Sequence, residues 1–229
     1  MVALCDHGAM DATRIGAVEG LLTALVAEDD ALVAARTATE VTTPGIEVSP
    51  TLGKLLHLLA TVRGARRVLE FGTLAGYSTI WLARAVGPGG RVVSLELERR
   101  NAAVARRHLE AAGVSAWVDI LCGPAASTSA LLVERATEPF DLVLLDADKA
   151  PLPLYLDRAA ALTRPGAVVV IDNVVRGGRI ADDEAASDPD AAGARQALAT
   201  LASDPRWDAT ALQTVGPKGW DGVAVAVRR

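Results

Sequence analysis

The sequence predicts an α/β fold, with a mostly parallel seven-stranded sheet, helices on both faces and an antiparallel hairpin at the C-terminal end. The first observation is that Ala, Val and Leu make up much of the apolar content. Ala and Leu favour helices while Val favours strands, so the composition indicates a mixed α/β fold. From residue 66 onward, short Val-rich runs alternate with longer amphipathic segments. Strands that are apolar on both faces and separated by helices are typical of a parallel sheet covered on both sides.

The segment before the sheet is predicted to be helical. Apolar residues recur at three- and four-residue spacing within 11–40, and a Thr-Thr-Pro-Gly segment ends that pattern. Ser49 then acts as N-cap and Pro50 as first residue of another helix. We therefore expect an N-terminal helical extension over 1–45 and one globular domain over 46–229.

The regular elements of the domain follow from the same patterns. Five parallel strands are predicted at 67–71, 91–95, 117–121, 141–145 and 167–171. The helices between and after them are predicted at 76–86, 99–112, 125–136, 152–163 and 191–202. The terminal hairpin pairs 209–215 with 222–227, and the acidic stretch 182–190 is expected to be an exposed loop.

Charge and composition exclude several classes of function. The net charge is -5 and the arginines are scattered, which argues against a nucleic-acid partner. Two cysteines are too few for a disulfide framework or a zinc site. No secretory signal is recognisable, and no apolar run approaches the ~20 residues that span a bilayer. We expect a soluble, cytoplasmic protein with no membrane partner.

A glycine-containing turn follows the first predicted strand, in the sequence EFGTLAGYS at 70–78. Gly72 and Gly76 allow a sharp turn, and the helix that follows presents its amide groups to a ligand. Glu96, after the second strand, lies where an acid commonly binds the two hydroxyls of a ribose. The alternative is an ordinary turn with a solvated glutamate. The spacing differs from G-x-G-x-x-G and favours a ligand whose carboxylate, rather than a pyrophosphate, meets the helix.

Acidic and amide side chains follow the fourth and fifth predicted strands. Asp146 ends one strand, and Asp172 and Asn173 end the next. Because the carboxyl ends of neighbouring parallel strands meet at one edge, these oxygens could converge on one cation. Such ligands suit Mg²⁺ or Ca²⁺, and Mn²⁺ would also fit. Helix N-capping is the alternative for each residue taken singly.

Taken together, these motifs resemble the cation-dependent class I S-adenosylmethionine O-methyltransferases, the family of catechol and caffeoyl-coenzyme A O-methyltransferases. The similarity extends over roughly 45–229. The matching pieces are VSP at 48–50, VLEFGTLAGYS at 68–78, VVSLELE at 92–98, GPA at 123–125, LLDADK at 144–149 and RPGAVVVIDNV at 164–174. The resemblance implies a Rossmann-like fold and methyl transfer to one hydroxyl of a catechol-like, vicinal dihydroxy substrate.

The resemblance also implies a role for each matching residue. It makes Lys149 the general base. It implies that the divalent cation, most simply Mg²⁺, is bound by Asp146, Asp172 and Asn173. For S-adenosylmethionine it implies contacts with Val48, Glu70, Gly72, Thr73, Ser78, Glu96, Ala125 and Asp146. Of these, Glu70, Gly72 and Ser78 belong to the methionine end, Glu96 to the ribose and Ala125 to the adenine.

Other features leave alternatives open. Pro151 and Leu152 stand where the family commonly has an Asn and a Tyr, so the usual acceptors are in question. Trp220 could stack on an aromatic acceptor or simply cover the sheet edge. A nicotinamide-dependent oxidoreductase and a non-catalytic cofactor-binding relative are the competing functions. By the resemblance we also expect a homodimer, for which the apolar stripe of the first helix offers an interface.

Overall fold

The strands form one sheet, and their order confirms the predicted fold class. The computed structural model describes residues 11–182 and 187–229. In that part of the chain the strands are β1 (Arg67–Phe71), β2 (Arg91–Glu96), β3 (Val118–Cys122), β4 (Phe140–Leu145), β5 (Thr163–Asp172), β6 (Trp207–Gly216) and β7 (Gly219–Arg228). Their spatial order is β3-β2-β1-β4-β5-β7-β6. The first five are parallel, whereas β7 runs antiparallel to both β5 and β6.

Helices cover both faces of this sheet. They are α1 (Ala12–Thr23), α2 (Asp30–Arg36), α3 (Pro50–Arg63), α4 (Tyr77–Val86), α5 (Arg99–Ala111), α6 (Ala125–Glu134), α7 (Leu152–Leu162) and α8 (Pro189–Ser203). Side chains of α2 to α5 pack in the core on one face, and those of α6, α7 and α8 in the core on the other. No helix among the described residues is long and apolar enough to cross a membrane. A cytoplasmic location remains a prediction.

The segment 11–40, predicted to be helical, is divided into two helices by a connection that the sequence pattern did not reveal. Asp29 ends the connection between them, and its carboxylate accepts a hydrogen bond from the amide of Leu32 at 3.1 Å. An acid in this position stabilises a new helix start rather than the interior of a helix. Leu32 and Ala35 of α2 are fully buried against the main domain, whereas α1 has no buried residue.

The C-terminal elements are longer than the sequence pattern predicts. The hairpin strands leave only Pro217 and Lys218 as the turn between them. β5 starts at Thr163, four residues before its predicted start, with an irregular register opposite Phe140. Helix α8 begins within the predicted acidic loop, and residues 183–186 of that loop lie outside the described part of the chain.

Candidate active site

One cavity of about 1720 Å³ lies at the carboxyl ends of the parallel strands. Ligands of open α/β sheets bind at this end of the strands. Ten of the eleven residues predicted for the site line the cavity: Val48, Gly72, Thr73, Ser78, Glu96, Ala125, Asp146, Lys149, Asp172 and Asn173. The structure therefore brings the glycine turn and the acidic strand ends to a single place.

The glycine turn is held closely against the neighbouring strand. Gly72 has a φ of 95°, a conformation that side-chain-bearing residues rarely adopt. A Cβ atom at this position would lie 2.5 Å from the carbonyl oxygen of Asp146. Gly72 is therefore required by the approach of the β1 and β4 ends, which also places Asp146 beside the turn.

Glu70 is the predicted site residue that does not line the cavity. It is fully buried beneath the turn, where its carboxylate accepts hydrogen bonds from three hydroxyl groups, each at 2.6 Å, of Ser78, Thr79 and Ser94. Burial raises the pKa of Glu70 to about 7, although these hydrogen bonds oppose the change. Because Ser78 and Thr79 belong to the first turn of α4, Glu70 fixes the start of that helix to the sheet.

Glu96 binds the backbone of the turn. One oxygen of its carboxylate accepts from the amides of Thr73 at 3.1 Å and Leu74 at 2.8 Å. The other accepts from the amide of Glu98 at 2.9 Å and from Nδ2 of Asn101 at 3.2 Å. A carboxylate has about four acceptor positions, so the protein uses all of them. Of the four donors, the Asn101 amide alone belongs to a side chain.

Asn101 links Glu96 to the segment before α3, a connection that the sequence analysis missed. Its Oδ1 accepts from the amide of Thr42 at 2.9 Å, and its Nδ2 also donates to the Thr42 hydroxyl at 3.1 Å. Thr42 lines the cavity. The sequence signal for this connection is weak. Asn101 follows Glu96 by five residues, but its other partner, Thr42, is distant in sequence.

The acidic strand ends are adjacent, as predicted. β4 and β5 pair in parallel register, Leu145 opposite Ile171, so the residues that follow them reach the same part of the cavity. Nζ of Lys149 forms an ion pair with Oδ1 of Asp146 at 2.8 Å. Burial and the nearby negative charge of Asp146 raise the pKa of Asp172 to about 7, against the opposing effect of Lys149.

The residues predicted to bind a metal are not a cluster of acidic side chains alone. Within residues 11–182 and 187–229, no group of three or more His, Cys, Asp or Glu side chains is placed to hold a metal ion. The predicted ligands are two carboxylates and one amide. Asn173 has a φ of 58°, and its backbone N–H donates to Oδ1 of Asp172 at 2.8 Å. This contact orients the Asp172 carboxylate.

The N-terminal helices contribute a wall of the cavity that the sequence analysis did not foresee. The hydroxyl of Tyr77, the first residue of α4, donates to Glu28 at 2.8 Å. Arg36 of α2 binds the same carboxylate through Nε and Nη2, at 2.9 to 3.1 Å. Burial, reinforced by Glu28, raises the pKa of Tyr77, so its hydroxyl stays protonated and keeps donating. Tyr77 and Arg36 both line the cavity.

Three further positions settle points that the sequence left open. Trp220 covers Gly178, where a Cβ atom would lie 2.6 Å from the indole ring, and its Nε1 donates to Gln213 at 2.9 Å. It does not line the cavity, and its ring packs against the segment that follows β5. Leu152, the first residue of α7, is fully buried in the core. Of the two positions where the family commonly has Asn and Tyr, only Pro151 lines the cavity.

The sheet order and the site together define a Rossmann-like methyltransferase. The chain matches the O-methyltransferase family over residues 25–228 and belongs to it. Among similar proteins are two named catechol O-methyltransferase. One, from Mycobacterium tuberculosis, is 51% identical over 90% of this chain and 91% of its own length. The other, from Niastella koreensis, is 46% identical over 87% and 90%.

A solved structure agrees with this assignment. The O-methyltransferase from Streptomyces achromogenes that is involved in tomaymycin synthesis, in complex with S-adenosylmethionine, matches with a TM-score of 0.91. The two sequences are 44% identical, and the match covers 96% of this chain and 99% of the other. The predicted enzyme class, an O-methyltransferase, is confirmed, and family membership decides against the nicotinamide-dependent oxidoreductase.

Proposed function

We propose that this enzyme transfers a methyl group from S-adenosylmethionine to one hydroxyl of a vicinal diol such as catechol, with a divalent cation holding the diol. One observation carries the proposal. The glycine turn, the oxygens of Asp146, Asp172 and Asn173, and the amine of Lys149 line one cavity. The catechol O-methyltransferases among the relatives and the cofactor-bound neighbour support it.

For the cofactor, the chain has to supply binding and alignment. The sulfonium of S-adenosylmethionine already carries an activated methyl, so catalysis depends on placing an oxygen in line with it. Ser78 and the amide groups at the start of α4 would receive the methionine carboxylate. Glu96 would bind the ribose, and because its other donors are backbone amides, a ribose hydroxyl would take the place of Asn101.

For the acceptor, the residues at the strand ends fit a hard divalent cation. Burial and the nearby charge of Asp146 make ionisation of Asp172 costly, and a single lysine does not balance two carboxylates. Carboxylate and amide oxygens are the ligands that Mg²⁺ and Ca²⁺ prefer. When bound, such a cation lowers the pKa of a phenolic hydroxyl that it coordinates.

Lys149 is then the group that takes the proton from the attacking hydroxyl. Its side chain is only 7% exposed, and the ion pair with Asp146 fixes its nitrogen at the cavity wall. A positioned general base contributes by accepting the proton as the new bond forms. An ammonium cannot accept a proton, so this role requires neutral Lys149, with the Asp146 carboxylate bound to the cation instead of to Nζ. The methyl would then pass to the phenolic oxygen and the proton to neutral Nζ, and S-adenosylhomocysteine would leave.

The proposal is tested by assaying catechol methylation by mass spectrometry with and without Mg²⁺. Phenol, which has one hydroxyl, is the matched control acceptor. We expect methylation of catechol but not of phenol, its loss after treatment with EDTA, and its recovery when Mg²⁺ is restored. Full activity after exhaustive chelation would refute the cation, and equal methylation of phenol would refute diol binding.

We also propose that the enzyme acts as a homodimer and that α1 forms part of the interface. Apolar side chains of this helix and of Leu25, just after its end, are exposed in the single chain: Val18 by 54%, Leu21 by 74%, Leu22 by 46% and Leu25 by 80%. Adjoining α3 adds Val62, exposed by 87%. Several exposed apolar side chains on one helix are typical of a protein contact site, and a second copy would cover them symmetrically.

A further inference from the structure

We infer that the chain carries a second ligand site, for a phosphate dianion or a phosphomonoester, at the amino-terminal end of the sheet. A cavity of about 550 Å³ opens there, at the opposite end of the strands from the active site. Half of its ten lining residues are arginine, contributed by the end of α3, the beginnings of β1, β2 and β5, and the segment before β1: Arg63, Arg66, Arg67, Arg91 and Arg164.

A buried carboxylate organises two of these arginines. Asp141 accepts hydrogen bonds from Nη2 of Arg164 at 3.2 Å and from the backbone amides of Arg66 and Arg67 at 2.9 and 3.1 Å. Nη2 of Arg63 lies 3.8 Å from the same carboxylate. Burial alone would raise the pKa of Asp141, but these hydrogen bonds outweigh it and hold the pKa below its ordinary value. Asp141 is therefore an ionised anchor at neutral pH.

The other three arginine side chains are not fully balanced by acids. Arg67 forms an ion pair with Glu138 at 3.4 Å, and Arg91 forms two hydrogen bonds to Asp119, at 2.6 and 2.5 Å. Arg66 has no side-chain hydrogen bond or ion pair with any residue that the structure describes. Five guanidinium groups thus face three carboxylates, which leaves a surplus of two positive charges (5 − 3).

This surplus is a local property, because the chain as a whole has a net charge of -5. Like charges gathered in one cavity repel each other, and an anion of two charges would balance them. The guanidinium fork matches the oxygens of a phosphate group in pairs, which makes arginine the residue best suited to such ligands. A phosphate dianion therefore fits both the charge and the donors of this site.

Arg66 is the arginine whose side-chain donors are most available to bind a ligand. Its Nη2 lies over Gly89, where a Cβ atom would be only 3.1 Å away, so the glycine leaves room for the side chain. Its donors are otherwise unused in the described part of the chain. The cavity is larger than an inorganic phosphate, so a phosphomonoester such as a mononucleotide can place its phosphate here with its remainder toward solvent.

The test is calorimetric titration with inorganic phosphate and with uridine 5′-monophosphate, which lacks the adenine of the methyl donor, in EDTA and at constant ionic strength set with chloride. The variants are Arg66→Ala, which removes no side-chain hydrogen bond or ion pair within the described residues, and Arg99→Ala as control, an exposed arginine at the start of α5. We expect saturable binding to the wild type and to Arg99→Ala, and at least about tenfold weaker binding to Arg66→Ala.

Two results would overturn the site: heat changes no larger than those of a chloride titration, or equal affinity in Arg66→Ala and the wild type. Binding of both ligands, with phosphate displacing the nucleotide, would identify the phosphoryl group as the recognised part. Binding of inorganic phosphate alone would restrict the site to the free ion. No measurement here uses the methyl donor, so its outcome is independent of the proposed reaction.

Discussion

Gly193 of α8 lies directly against the carbonyl oxygen of Lys149, so closely that a Cβ atom on the glycine would overlap it. The same atom would also meet the carbonyl oxygen of Ala150 at 2.7 Å. Both contacts are to backbone, which cannot rotate away as a side chain could. The position of the proposed general base thus depends on a glycine in a helix 44 residues further along the chain (193 − 149).

We therefore expect Gly193→Ala to displace the loop that carries Lys149 and to lower kcat about tenfold or more, since small misplacements of catalytic groups are costly. Affinity for S-adenosylhomocysteine should stay within a few fold of the wild type. The control is Gly20→Ala in α1, where a Cβ atom meets nothing within 4 Å. That variant should keep full activity, and a normal kcat in Gly193→Ala would show that α8 adjusts without moving Lys149.

Replacing Asp172 with Asn is expected to lower turnover by at least about 100-fold and to raise the Mg²⁺ concentration that gives half-maximal activity. The change keeps the shape of the side chain but removes a negative charge from the proposed cation site. Asp190→Asn is the matched control, because Asp190 lines the same cavity but forms an ion pair with Arg176 at 3.1 Å. An unchanged Mg²⁺ requirement in Asp172→Asn would contradict its role as a ligand.

The raised pKa of Glu70 predicts a pH-dependent stability. The folded protein holds the proton to about pH 7, whereas the ordinary value is 4.5, so this contribution is fully present below pH 4.5 and is lost as the pH rises through 7. Glu70→Gln cannot titrate. Between pH 5 and pH 8, the free energy of unfolding of the wild type should fall by about 3 kcal/mol more than that of the variant.

Denaturant titrations at several pH values, in EDTA and without cofactor, measure this difference. Asp172 titrates in the same range and in the same direction, so the absolute slope belongs to both groups. The difference between the two proteins isolates Glu70. Parallel pH profiles would mean that the three hydroxyl donors stabilise the carboxylate more than burial destabilises it.

The parts of the fold that rest on local pattern were predictable from the sequence. Every parallel strand was placed within a few residues, because buried β4 and β5 read as continuous apolar runs such as DLVLL and AVVVI. The convergence of Asp146 and Asp172 followed from the geometry of neighbouring strand ends. These predictions required only hydrophobic periodicity and the rule that neighbouring parallel strands end at the same edge of a sheet.

The parts that were missed depend on contacts between segments distant in sequence. Three hydroxyls on α4 and β2 bind the carboxylate of Glu70 beneath the turn, and no sequence pattern predicts these partners. The partnership of Tyr77 with Glu28 joins residues 49 positions apart, and no spacing rule predicts it. The break before α2 was missed because a helical pattern on both sides of Asp29 conceals the new start.

The exposed face of α1 gives a prediction about assembly. Leu21→Glu combined with Leu25→Glu should convert a dimer into a monomer, because two charges would have to be buried in an apolar interface. Both side chains are more than 70% exposed in the single chain, so the fold itself should be unaffected. The measurement is the molar mass by light scattering coupled to size-exclusion chromatography.

Leu131→Glu, on α6 and 47% exposed, is the control that should keep the wild-type mass. A wild type that is already monomeric at micromolar concentration would remove α1 as an interface and leave its apolar residues unexplained.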